Sequence, residues 1–181
     1  MKILVIHNFD SHERFESLMN EFKNQNIRDF KFIDAVHDVH SAKRGINQAH
    51  KNCIRYAKSH LLDEVCIMED DVAFTKNDSF QYFLGKKPLD FDIYLSGIYL
   101  GDIDEDNRVK DFCGLHCYIV KSKFFDKFLS ANDDEHIDRA LANLGDYHVC
   151  NPFAAIQYNG FSYNTKMDMN YDDLLKNREL Y

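Results

Sequence analysis

The sequence predicts an α/β domain: a Rossmann-type, mostly parallel central sheet flanked by helices. Two observations carry most of that expectation. The first 68 residues alternate short apolar, β-branched runs with longer stretches of helical periodicity, and strand–helix–strand repetition is how parallel sheets are connected. Length is the second observation, because 181 residues are enough for one domain with a proper core.

"KILVIH" is β-branched and apolar, a buried strand. After it, "NFDSHERFESLMNEFKNQ" places Phe15, Leu18, Met19 and Phe22 at i, i+3, i+4 and i+7. That spacing predicts an amphipathic helix, with Asp10 or Ser11 available to cap it. "FKFIDAV" is a second strand. "SAKRGINQAHKNCIRYAKSH" carries Ile46, Ala49, Cys53, Ile54 and Ala57 on one stripe and is a second helix. "EVCIM" is a third strand.

The second half is less regular. "SFQYFLG" reads as a short helix and "DIYLSGIYLG" as a strand running into a loop. "GDIDEDNRVKD" is a polar excursion, either a hairpin tip or a mobile flap. "GLHCYIV" is a strand, and "KSKFFDKFLSA" a helix that buries Phe124, Phe125, Phe128 and Leu129. "DDEHIDRALANLG" predicts a further helix with Ile137, Leu141 and Leu144 inward and Gly145 as its stop. "YHVCNPFAAIQYNGFSYN" is a strand and loop, and the tail "MDMNYDDLLKNRELY" is polar with little core material. With 2 prolines, no repeat and no low-complexity block, the chain reads as a single domain over residues 1–181.

Composition narrows the function. The formal charge of −8 argues against a broad phosphate-binding surface of the nucleic-acid type. It leaves a metal-bridged anionic ligand open. The apolar run of "MKILVIHNFD" is too short for a signal-peptide core or a membrane span. Five cysteines, an odd number with no CxxC pair, predict reduced thiols in a cytoplasmic protein, and their spacing argues against zinc.

The stretch "CIMEDDVAF" then poses a question. Glu69, Asp70 and Asp71 stand in a row at the end of an apolar strand, where each repels the others. Either they form a solvated acidic turn or something positive sits among them. In parallel sheets ligands bind beyond the carboxyl ends of the strands, the edge that Asn8, Asp10 and the segment Ala35, Val36, His37 and Asp38 also face. A hard cation such as Mg²⁺ or Mn²⁺ takes one or two carboxylates and completes its shell with water and phosphate oxygens.

The chain resembles the family 25 glycosyltransferases in several ordered segments. "INQAHKNCIRYAKSHLLDEVCIMEDDVAF" is similar to their central helix and the apolar strand closing in Glu-Asp-Asp-Val. "VIHNFDSHERFESL" looks like their opening strand and Arg-containing helix start. "GLHCYIVKSKFFDKFL", "HIDRAL" and "NPFAAIQYNGFSYN" resemble their glycine-led strand, Pro-Ile-Asp segment and Pro…Gln…Ser ending. Two positions depart: Ala49-His50 replaces a Ser-His pair, and the proline before Ile137-Asp138 is missing.

The resemblance implies a GT-A-like fold that transfers a sugar from a nucleoside-diphosphate sugar to an acceptor hydroxyl on a saccharide or glycoconjugate. It divides the chain into a nucleotide-binding half (1–75), an acceptor-side half (76–165) and a polar tail (166–181). Mn²⁺ or Mg²⁺ would sit on Asp71 with Glu69, while Asp70 or Glu69 binds metal waters or ribose. Asn8, Asp10, Arg14, Val36, His50 and Gln157 fall to the donor, and Ser162 hydrogen-bonds donor or acceptor. Asp138 is the expected general base, at a helix start and away from the acids of the excursion, with His116 second.

Each of these residues also has a plainer role. His50 lies on the apolar stripe of its helix and reads equally as a hydrogen-bonded core histidine. Arg14 reads as a surface arginine, Asp138 as a helix-surface carboxylate, and His116 as a structural strand residue. Two other functions fit the same pattern. One is sugar transfer to a hydroxylated DNA base, for which Lys43, Arg44, Lys51, Arg55 and Lys58 would supply a basic groove. The other is a non-catalytic nucleotide-sugar-binding module.

Overall fold

The computed structural model describes residues 1–162 and 165–181. In chain order the elements are β1 (Lys2–His7), α1 (His12–Asn24), β2 (Phe30–Asp34), α2 (Ala42–Ser59), β3 (Glu64–Glu69), β4 (Val72–Phe74), α3 (Ser79–Gly85), β5 (Ile93–Leu95) and β6 (Arg108–Val109). Then come β7 (Cys117–Lys121), a 3-10 turn at Ser122–Phe124, α4 (Phe125–Leu129), α5 (Ile137–Leu141) and β8 (Tyr147–Val149). The chain closes with β9 (Ala155–Gln157), β10 (Gly160–Ser162), β11 (Met167–Met169) and α6 (Asp172–Leu175).

Seven strands form one sheet in the order β2-β1-β3-β7-β5-β8-β6. β1 pairs in parallel with both β2 and β3, and β5 with β8. β7 lies antiparallel between β3 and β5, and β6 lies antiparallel on β8. The sheet is mixed but, as expected, mostly parallel: β2, β1, β3, β5 and β8 run one way, and β7 and β6 the other. This is a Rossmann-like α/β architecture with helices on both faces.

Alternation along the strands explains the layers. Leu4, Val65 and Ile67 point to one face and pack with Cys53, Ile54 and Ala57 of α2. Ile3, Val5, Cys66 and Met68 point to the other and pack with Leu18 and Phe22 of α1. Both helices were legible as stripes because each covers one side of a sheet. The start of α2 also presses on the loop after β2. A Cβ on Gly45 would lie 2.2 Å from the Val36 carbonyl oxygen, so only glycine allows that approach.

The second half departs from or sharpens its sequence reading at three points. α5 ends at Leu141, Asn143 turns left-handed at φ 61°, and Leu144 is left partly exposed instead of inward. The polar excursion, open between a hairpin tip and a flap, is tied to the sheet edge. Val149 N–H donates to the Asn107 carbonyl (2.9 Å) and Asn143 N–H to that of Lys110 (2.7 Å), and β6 joins the sheet edge. The tail is not a loose polar appendage. Leu175 is buried, Tyr181 stacks on Tyr82 at 3.7 Å between ring centroids, and Phe153 exchanges backbone hydrogen bonds with Glu179 and Tyr181. Among the described residues no helix is long and apolar enough to cross a membrane, and all five cysteines are free thiols.

Candidate active site

The topology brings the carboxyl ends of β1, β2, β3 and β5 and the amino end of β7 to one edge of the sheet. A cavity of about 700 Å³ opens there. The acid triplet follows β3 in the middle of the edge, so it sits at the centre of the cavity. The loops after β1 and β2 form one wall, and Tyr99, Leu100 and the residues before β7 form the other.

Something positive does sit among the acids, and it is Arg14. From the first turn of α1 its Nη1 donates to Asp70 Oδ1 (2.7 Å) and lies 3.3 Å from Asp71 Oδ2, while Nη2 donates to the Phe161 carbonyl. Burial pulls the pKa of Arg14 down, but Asp71 and Asp70 together raise it above the ordinary guanidinium value. Asp70 is buried and fully engaged. Its Oδ2 accepts from His7 Nδ1 (2.9 Å) and from the Asn8 backbone N–H (3.0 Å).

Glu69 and Asp71 are held differently. The β4–β9 ladder sets Gln157 opposite Val72, and Gln157 Nε2 donates both to Glu69 Oε2 (2.8 Å) and to Asp71 Oδ1 (2.9 Å). Two carboxylates therefore converge on a single nitrogen. One guanidinium does not balance three acids. Burial, with Glu69 beside it, pushes the Asp71 carboxyl up to about 7 against Arg14's opposing pull. The site is short of positive charge.

His50 is the hydrogen-bonded buried histidine of its plainer reading, and it also lines the cavity. It is buried, its Nδ1 lies 2.7 Å from the Tyr118 hydroxyl, and its Nε2 lies 3.1 Å from Glu69 Oε1. The carboxylate accepts from Nε2–H, which leaves Nδ1 to accept from Tyr118 O–H. Asn8, Val36, Gln157 and Ser162 also line the cavity, as does Asp138 in the far wall. Asp138 Oδ2 accepts from the Gly114 N–H (3.2 Å) and Oδ1 from the Arg139 N–H (2.8 Å).

Two expected residues fall outside. Asp10 is exposed and faces a shallow neighbouring hollow with His7, Asp34 and His37, because the turn into α1 carries it away from the acids. His116 is 1% exposed, and its Nε2 donates to the Ala155 carbonyl at 2.9 Å. Burial pushes its pKa down, and the ring lies in the core instead of lining the cavity where the acceptor-side base was expected. Sequence reasoning missed His7, Tyr99 and Tyr171. His7 had a signal, as the last residue of the first strand at the binding edge. Tyr99 and Tyr171 had none, since their 4.5 Å stack joins positions 72 residues apart (99 to 171).

No protein-family model and no curated protein matches this sequence. Solved structures do share the fold. A197 from STIV superposes with a TM-score of 0.56 at 14% identity, over 87% of this chain and 84% of that one. HddC from Yersinia pseudotuberculosis gives 0.53 at 18% identity, over 86% and 72%. A second HddC structure, complexed with GMP-PN, gives 0.46 at 14% identity over 86% and 92%. At these identities the first two likenesses bear on the fold alone, a Rossmann-like α/β domain.

Proposed function

We propose that the chain is a GT-A-type glycosyltransferase that moves a sugar from a nucleoside-diphosphate sugar to an acceptor hydroxyl with the help of Mn²⁺ or Mg²⁺. The observation that carries this reading is the pair of converging carboxylates, Glu69 and Asp71, at the charge-deficient centre of a cavity large enough for a nucleotide sugar. The donor set fits such a cation. Among the described residues no group of three or more acidic, histidine or cysteine side chains is arranged to hold a metal by itself, and a hard cation that borrows diphosphate oxygens needs only one or two carboxylates. When bound, it would offset the charge that develops on the leaving diphosphate. Asp71 and Glu69 would hold it, and Arg14 and Asn8 frame the donor end.

Asp138, fixed by two backbone N–H groups in the opposite wall, is the carboxylate placed to take the acceptor proton. A basic groove for DNA finds no support on α2. Arg44 pairs with Asp134, Lys51 with Asp133 and Lys58 with Asp126, while Arg55 bonds Gln48 and Asn52.

Calorimetry with a panel of nucleoside-diphosphate sugars, with Mn²⁺ and then with chelator, tests the reading. Binding should be tighter with metal, and Asp71→Asn should remove most of the difference because an amide is a weak ligand for a hard cation. Equal affinity in all four conditions rules the reading out. Asp138→Asn should lower turnover by roughly 10²-fold or more while donor affinity stays near normal. Donor binding without transfer to any acceptor would instead indicate a binding module.

A further inference from the structure

The two walls of the cavity differ in chemistry, and the difference bears on the acceptor. Sheet order puts the acids between a β1–β2 side, with Asn8, Arg14 and Val36, and a β7–β5 side. The β7–β5 side is built largely from Leu100, Leu115, Ile137, Leu174 and the stacked Tyr99–Tyr171 pair. Its fixed carboxylate is Asp138. The Tyr99 hydroxyl oxygen already accepts the Gln157 backbone N–H at 2.8 Å. At the mouth, Leu100 keeps 53% of its surface exposed and Leu174 keeps 40%.

We propose that this wall receives an uncharged alcohol or phenol with an apolar body, rather than a bare saccharide. The inference rests on the glycosyl-transfer reading and deepens it. Each sugar hydroxyl taken out of water needs a replacement partner, and beyond Asp138, His136 and the Tyr171 hydroxyl this wall is largely leucine and isoleucine. An apolar body needs no such partners and gains by covering the open faces of Leu100 and Leu174. On this wall the fixed carboxylate is Asp138, which disfavours an anionic acceptor. In the transfer, the acceptor oxygen forms a bond to the anomeric carbon. The bond from that carbon to the diphosphate breaks, its electron pair leaves with the nucleoside diphosphate, and the hydroxyl proton passes to Asp138.

The test uses the full chain, Mn²⁺ and a donor panel of UDP-glucose, UDP-galactose and GDP-mannose. Each is incubated without acceptor, with 4-methylumbelliferone, or with glucose or maltose at the same concentration. We expect the umbelliferyl glycoside to form at least roughly 10-fold faster than any oligosaccharide, the discrimination a shaped apolar pocket delivers. Leu100→Gln and Leu174→Gln should each raise the KM for 4-methylumbelliferone several-fold with a smaller change in kcat. Transfer to free saccharides at equal or higher rate, or an unchanged acceptor KM in both variants, overturns the inference while donor turnover preserves the glycosyltransferase reading. If no donor on the panel is bound or hydrolysed, both fall together.

Discussion

β1 and β3 are six residues long and pair through five-residue parallel registers, whereas β5, β8 and β9 have three residues each and depend on partners distant in sequence. The two regions also give different things to the site. The first half supplies charge: Arg14, Glu69, Asp70 and Asp71, aimed by strands and a helix that are regular in themselves. The second half supplies the clamp and the wall: Gln157, Asp138 and the Tyr99–Tyr171 stack, placed by short strands, turns and a returning tail. Most of the charged groups stand on α1 and at the end of a parallel strand, and most of the wall comes from the irregular part.

The largest effect should come from the strand that carries the acids. Ile67 is fully buried in β3, so Ile67→Ala should cost about 2–5 kcal/mol in urea unfolding. Leu175 is buried in the short α6 at the edge of the same core, and Leu175→Ala should cost clearly less because that segment can settle into the space. Equal losses would break the contrast between a rigid first half and an adaptable second.

Asp71 sharpens the contrast by pH. Its carboxyl is raised in the folded protein to about 7 from an ordinary 3.8, so between those values the folded chain holds a proton that the unfolded chain has lost. Stability therefore falls as pH rises from about 4 to 7. Asp71→Asn, which cannot ionise, should be more stable than wild type at pH 8 without divalent cations, by an amount on the order of 2–4 kcal/mol. The difference should vanish near pH 4. Thermal melts in chelator at the two pH values decide it, and a variant that melts lower at pH 8 would contradict the charge-deficient site.

A smaller effect belongs to the contact that crosses the two halves. Tyr118→Phe removes the hydroxyl that satisfies His50 Nδ1 in a buried setting, and should cost roughly 1–2 kcal/mol. Nitrogen NMR of the imidazole should show the Nε2–H form in wild type and loss of that single form in the variant. A wild-type spectrum dominated by the Nδ1–H form would mean that Tyr118 accepts and Glu69 is held in another way.

Legibility followed the same division. β1, α1, β2, α2 and β3 could be read locally, the helices from a single apolar stripe and the strands from short apolar runs, which in β1 and β3 are buried on both faces of the sheet. Leu144 could not. Its apolar spacing continues that of Ile137 and Leu141, yet the left-handed turn at Asn143 ends the helix before it. His116, on a strand between Leu115 and Cys117, read equally as structural and as second choice of base, and only the sheet showed its ring bonded to the Ala155 carbonyl. Gln157 was assigned to the donor by resemblance alone, and its bridging of Glu69 and Asp71 depends on the β4–β9 pairing across 85 residues of separation (Val72 to Gln157).

By itself, the sequence determined the alternation of the first half and the placing of three acids at the end of a buried strand, because periodicity and burial act over a few neighbouring residues. The tertiary structure alone decided how each carboxylate is held. Asp70 is taken up by His7, the Asn8 backbone and Arg14, while Glu69 and Asp71 share one amide nitrogen, with His50 beside the other oxygen of Glu69 and Arg14 beside that of Asp71. It also decided that the polar tail folds back to line the cavity with Tyr171 and Leu174. Both outcomes rest on contacts between segments far apart in the chain, and no local pattern encodes which of two distant segments will meet.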